Sequence, residues 1–122
     1  IDIFESDGQS IAVLDTSINH QLEGFIYGFP PRVANSAKDG RFEYQLAGAS
    51  CLAGDLFGKY RFEEPLDIGS RILFPGVGAY THAFTTRYNG LNPPSIYQLQ
   101  PDQTVRLRRE FGIEAFADVC GV

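Results

Sequence analysis

Two short turns carry the side chains best suited to chemistry. The first is Gly48-Ala-Ser-Cys-Leu-Ala-Gly-Asp55; the second, further along the chain, is Gly78-Ala-Tyr80. Small residues at a strand end let backbone and ligand come close, because no Cβ stands in the way. Cys51 offers a thiol able to give or take a proton. Asp55, four positions on, offers a carboxylate that can pair with an amine. The Tyr80 hydroxyl can donate to a phosphate beside the backbone N–H groups of Gly78 and Ala79. Each residue also has a plainer use. A lone Cys is most often a small buried hydrophobe. Asp is a common turn or cap residue, and a Tyr can sit in a core with its hydroxyl satisfied. His20 and His82 stand isolated, with no second Cys or His at ligand spacing, so no metal site fits. Two scattered histidines do not support a Cys–His nucleophile pair either, and Gly76-Val-Gly78 is too short for a phosphate loop.

The elements that would position these turns read as strands. Residues 1–6 and 9–14 alternate apolar and polar around Asp7-Gly8, a strong hairpin signal. Residues 18–40 read as irregular: Gly24, Gly28 and Pro30-Pro31 argue against a regular helix. Such a length of loop is unusual in a small domain, and points to function or to a missing neighbour under Phe25, Ile26, Tyr27 and Phe29. Strands are expected over 41–46, with Phe42, Tyr44 and Leu46 on one face, and over 56–62, with Gly58 at a bulge. A short strand is expected at 71–74. The longest candidate strand runs from Ala79 to Asn89 and puts Tyr80, His82, Phe84, Thr86 and Tyr88 on one face. Two more strands follow, at 95–99 and around Val105 and Leu107. The spacing from Gly112 to Val119 turns helical, with Gly121 as its cap. The fold class expected is mainly β: an antiparallel β-sandwich or partly closed barrel of about seven or eight strands with a short C-terminal helix.

At 122 residues with a net charge of −5, the chain reads as one globular domain without a nucleic-acid footprint. Arg106, Arg108 and Arg109 are its nearest approach to a basic patch, and read as a solvated strand edge. No apolar run approaches a membrane span. Cys51 and Cys120 lie far apart in sequence, which favours reduced thiols and a cytoplasmic setting over a disulfide scaffold. Ile1 opens straight into a strand with no initiator Met, so a domain cut from a longer chain is expected.

Taken in order, Cys51-Leu-Ala-Gly-Asp55, Tyr60-x-Phe62-x-Glu-Pro65-Leu-x-Ile-Gly69, Gly78-Ala-Tyr80 and Tyr88-Asn-Gly-Leu91-x-x-Pro94-Ser95 resemble the C-terminal β-domain of the fold-type III, pyridoxal-phosphate-dependent amino-acid decarboxylases. Within that group the Cys-Leu-Ala-Gly-Asp turn is most similar to the carboxynorspermidine decarboxylases. The resemblance covers most of the chain and is weakest over 18–40. It implies that residues 1–122 follow an N-terminal (β/α)8 barrel that binds pyridoxal phosphate, and that the active site lies at the interface of a homodimer. It implies that Cys51 enters the partner subunit's site and gives a proton to the carbanion left after carbon dioxide departs. By the same resemblance Tyr80 holds the cofactor phosphate from its own subunit, Asp55 lies near the substrate's amine tail, and Tyr88 lies near the substrate. Strand parity over 79–89 would agree with Tyr80 and Tyr88 sharing one site.

Departures bear on the substrate. Ornithine- and diaminopimelate-type members usually carry an acid directly after the cysteine; here Leu52 stands there, so a longer polyamine acid fits better than a short diamino acid. Ala49 and Ser50 replace a usual Pro-Thr, and Ala79 stands where the nearest members often have His. Lys38 and Lys59 are the only lysines, and neither has a barrel-strand context. The cofactor supplies the electron sink, so the isolated 122 residues are expected to bind no cofactor and catalyse nothing. Three other readings stay open: an ornithine- or diaminopimelate-type decarboxylase, a non-catalytic decarboxylase-like domain for regulation or binding, and an autonomous β module on which residues 18–40 pack.

Overall fold

Asp7 and Gly8 take φ of 51° and 74°, the left-handed pair that a tight two-residue hairpin demands. They join β1 (Asp2–Ser6) to β2 (Gln9–Val13), which pair antiparallel from Asp2↔Val13 to Ser6↔Gln9. The computed structural model describes residues 1–121. These divide into two compact units, the first Ile1–Thr85 and the second beginning at Thr86.

In the first unit β3 (Phe42–Ala47) and β4 (Leu56–Phe62) complete a four-stranded sheet in the order β1-β2-β3-β4. The β2–β3 pair is parallel, Ile11↔Gln45 to Val13↔Ala47; the other two pairs are antiparallel. Opposite Leu46 the register slips: Gly58 faces Leu46 but Leu56 faces Ala47, which leaves Phe57 as the extra residue of a bulge. Gly58 has φ of 128°, a conformation that glycine reaches without a Cβ penalty, as the sequence predicts for this position. The bulge turns Phe57 inward, to 3% exposure beside Tyr44, Leu46 and Phe62. Ala12, Ile18 and Val33 close that core, and Ile3, Leu14, Leu52 and Phe74 pack on it.

Residues 18–40 are more ordered than their composition suggests. Ser17 caps a single 3-10 turn, Ile18–His20, by accepting from the Asn19 amide. α1 (Leu22–Tyr27) follows, contrary to the expectation of no helix. Gly28 ends the helix in a left-handed conformation, with φ of 69°, and its N–H returns to Phe25 O at 3.3 Å. Glycine and the prolines after it therefore stop this helix without preventing it. Phe25, Ile26, Tyr27 and Phe29 stay 57–71% exposed, so the first unit does not bury them.

Two expected strands are absent from the described residues. Residues 71–74 run irregularly against the 33–35 loop: Ala34 N–H donates to Leu73 O, and Leu73 N–H to Asn35 Oδ1. The segment from Ala79 forms α2 (Ala79–Phe84), not a strand. Its residues satisfy both periods. Tyr80 and Phe84 stack one helical turn apart at 5.8 Å, and Thr81 turns inward to donate to Glu23 Oε2 at 3.3 Å. The alternation of Tyr80, His82 and Phe84 is thus also an i, i+4 pattern, and the helix wins through these contacts.

In the second unit β5 (Ile96–Leu99) and β6 (Val105–Arg109) form an antiparallel hairpin. α3 (Glu114–Cys120) ends at Gly121, φ 74°, as the helical spacing predicts. The architecture is mainly β with a short C-terminal helix. Among the described residues there are six strands, in sheets of four and two, where about seven or eight were expected; neither sheet closes into a barrel, and the parallel β2–β3 pair departs from the expected antiparallel pattern. No helix among the described residues is long and apolar enough to cross a membrane.

Candidate active-site turn

The turn 48–55 is closed at its base by Gly48 N–H on Asp55 O, 2.8 Å, and tightened by Asp55 N–H on Leu52 O, 2.9 Å. Ala49 N–H reaches across to Thr16 O at 2.8 Å, tying the turn to the end of β2. Cys51 sits at the tip, exposed, and neither it nor Cys120 is in a disulfide. Leu52, next to it, goes the other way and packs on the core. Cys51 is therefore not the buried hydrophobe that a lone Cys most often is.

Asp55 is the opposite case, with 4% exposure. Its Oδ1 accepts from Ile18 N–H at 2.8 Å. Its Oδ2 accepts from Ser17 Oγ–H at 2.8 Å, from Ser50 N–H at 2.9 Å and from the Ser50 hydroxyl. Of these four donors three converge on Oδ2 and one reaches Oδ1, and all come from within the chain. The group lies directly over Gly48, where any Cβ would collide with it. This is the turn-and-cap use of Asp, carried out across the fold.

His20 completes the surroundings of Asp55. It is buried, and its Nδ1 meets Thr16 Oγ1 at 3.1 Å, while Nε2 has no hydrogen-bond partner. Burial pushes its pKa below the usual range, and the Asp55 carboxylate opposes that shift. Ser17, Ser50 and His20 were not among the residues the sequence singles out for the site. Ser17 and Ile18 lie far from Asp55 in sequence; the parallel β2–β3 pairing and the Ala49–Thr16 bond that extends it bring them beside it.

Tyr80 lies near the start of α2, 67% exposed, its ring stacked on Phe84. Gly78 precedes the helix at φ of 152°. Tyr88 lies in the second unit, in the 3-10 turn Tyr88–Gly90, where Asn89 is left-handed at φ of 51°. With α2 ending at Phe84, the strand parity that joined Tyr80 to Tyr88 no longer holds. The structure brings Asp55 to the Cys51 turn and places Tyr80 in the same compact unit. Beside α1 it also shows an apolar groove of about 300 Å³ lined by Ile18, Phe25, Phe29, Pro31 and Phe57, which the sequence does not signal.

The pyridoxal-dependent decarboxylase C-terminal sheet domain matches residues 1–78. The chain belongs to this decarboxylase family. The carboxynorspermidine/carboxyspermidine decarboxylase of Herminiimonas arsenicoxydans is 39% identical over 111 residues, covering 90% of this chain and 30% of that protein. The carboxyaminopropylagmatine decarboxylase of a Synechocystis species is 35% identical over 123 residues, covering 98% and 32%. The carboxynorspermidine decarboxylase of Campylobacter jejuni, solved in complex with norspermidine, superposes with a TM-score of 0.92 at 31% identity, covering 98% of this chain and 36% of that one. A diaminopimelate decarboxylase shares the fold at a TM-score of 0.78 and 21% identity, over 97% of this chain and 31% of that one. The chain spans about a third of the length of the curated relatives it matches.

Proposed function

We propose that this chain is the C-terminal domain of a pyridoxal-phosphate-dependent decarboxylase acting on a carboxylated polyamine such as carboxynorspermidine or carboxyspermidine. The observation that supports this best is Cys51, exposed at the tip of an anchored turn, in a chain 39% identical to a decarboxylase of those substrates. Leu52 supports the longer substrate. It packs inward where short-substrate members carry an acid, so it brings no charge to a second ammonium.

When bound, pyridoxal phosphate would supply the electron sink that decarboxylation needs. Tyr80 fits its phosphate: stacking on Phe84 steadies an exposed ring whose hydroxyl can donate to a phosphate oxygen. Lys38 and Lys59 lie on the surface, without the enclosure that a Schiff-base lysine needs. We assign that lysine to a barrel domain outside these residues, and the active site to a homodimer interface in the cytoplasm.

Cys51 is the general acid. Its S–H bond breaks as a C–H bond forms at the carbon that has lost its carboxylate, and the thiolate recovers a proton from water. Tyr88 lines the substrate's path. Asp55 is buried and already accepts four hydrogen bonds from within the chain. In this reading it serves the site through the turn it holds and not by binding the amine tail.

The test is carbon dioxide release by the full-length dimer carrying Cys51→Ala, with carboxynorspermidine, carboxyspermidine, ornithine and diaminopimelate each offered. Loss of a positioned general acid lowers kcat by about 10²- to 10⁴-fold. Unchanged kcat overturns the role of Cys51, and faster turnover of ornithine or diaminopimelate overturns the substrate class.

A further inference from the structure

We propose that Asp55 is a positioning residue for Cys51, a clamp that fixes the thiol's place by holding the residues on either side of it; the inference rests on the proposed role of Cys51. On one side, Ser50 is held twice by the carboxylate, through its amide at 2.9 Å and through its hydroxyl. On the other, the Leu52 amide donates to Ser50 Oγ at 3.3 Å, its carbonyl accepts from Asp55 N–H at 2.9 Å, and its side chain packs on the core. Asp55 itself is tied to the opposite segment through Ser17 and Ile18. The tip residue is thus braced by one buried Asp, whose carboxylate ties Ser50 to the 3-10 turn at Ser17 and Ile18 and whose backbone N–H holds Leu52. Gly48 is part of the device, since only a residue without a Cβ leaves the carboxylate its seat.

Such a brace matters for proton transfer more than for substrate binding. A general acid works only within hydrogen-bond reach of the atom it protonates, and a misplacement of about 1 Å costs about 10²-fold in rate. Asn in place of Asp55 keeps the shape, but turns an amide N–H₂ toward donors on one side or the other. The clamp then opens either at Ile18 or at Ser17 and Ser50.

The experiment is a double-mutant cycle in the full-length holoenzyme with Asp55→Asn, Cys51→Ala and the pair, together with Ser50→Ala as the milder variant. Cys51 alkylation by iodoacetamide is followed at its own peptide by mass spectrometry. Asp55→Asn is expected to lower kcat by about 10- to 100-fold with KM within about twofold, and to lower it less than about twofold once Cys51 is already Ala. Ser50→Ala follows the same pattern with a smaller fall, and carries the test if Asp55→Asn does not fold. The alkylation rate at Cys51 shifts severalfold in either variant while that at Cys120 holds. An equal fall in both Cys51 backgrounds, a change confined to KM, or an unaltered Cys51 alkylation rate overturns the clamp. If Cys51→Ala leaves kcat unchanged, the decarboxylase role of Cys51 fails instead, and the alkylation rates still decide whether Asp55 places the thiol.

Discussion

Gly48 and Gly54 lie in the same turn, and the structure separates them sharply. At Gly48 an added Cβ collides with the Asp55 carboxylate; at Gly54 it meets nothing within 4 Å. Gly48→Ala must therefore displace Asp55 or spread the turn. Overpacking of this kind costs about 1–3 kcal/mol. Displacing the carboxylate also strands the buried Ser17 hydroxyl and Ile18 amide, at about 1–3 kcal/mol for each group left unmet. Even the low end of that sum, about 3 kcal/mol, lowers the melting midpoint by about 10 °C in a chain of this size. Gly54→Ala meets no clash, and stiffens the unfolded chain, for a gain of about 0.4–1 kcal/mol. Parallel thermal melts, with deuterium exchange at the Ile18 and Ser50 amides, check both. Exchange should rise sharply at those amides in Gly48→Ala alone. If Gly48→Ala melts within about 2 °C of the parent, or Gly54→Ala falls as far, the carboxylate seat is not what the turn requires.

Tyr60→Phe removes the hydroxyl that donates to Pro31 O at 2.6 Å; about 1 kcal/mol of stability should be lost, read from the urea midpoint. Burial lowers the pKa of His20 below its ordinary value of about 6.5. The unfolded chain therefore binds more protons between the folded and unfolded values. Stability is full above that window, falls as pH drops through it, and levels off below. Urea midpoints measured from pH 7.5 to 5.5 should fall, and His20→Gln should flatten the slope. Arg61 and Glu43 form a 2.9 Å ion pair across β3 and β4, but their side chains are 53% and 46% exposed. Arg61→Ala should move stability by less than about 1 kcal/mol, and a larger loss in the same urea assay would contradict the solvent-screened picture.

What could be read from the sequence was local. Asp7-Gly8 specifies its hairpin by backbone conformation, Gly58 its bulge and Gly121 its helix end, and none of these needs a distant partner. The run from Ala79 could not be read that way. Its aromatic spacing fits a strand and a helix equally, and the choice is made by Thr81 reaching Glu23, a contact remote in sequence. The same limit holds at the turn. The sequence picks out Cys51 and Asp55, yet which of the two is exposed depends on Ser17 and Ile18, delivered by the β2–β3 pairing. Family resemblance supplied roles for residues whose own chemistry left two uses open.

The parallel seam between β2 and β3 also sets the order in which the first unit can assemble. The β1–β2 hairpin closes over two residues and the β3–β4 pair over a short turn, so both are cheap in chain entropy. The seam can form only after residues 14–41 have looped across, and non-local pairing of this kind slows folding. Every bond that ties Asp55 to Ser17 and Ile18 lies across that seam. During synthesis or refolding, the two hairpins would form before the thiol turn gains its ties to Ser17 and Ile18.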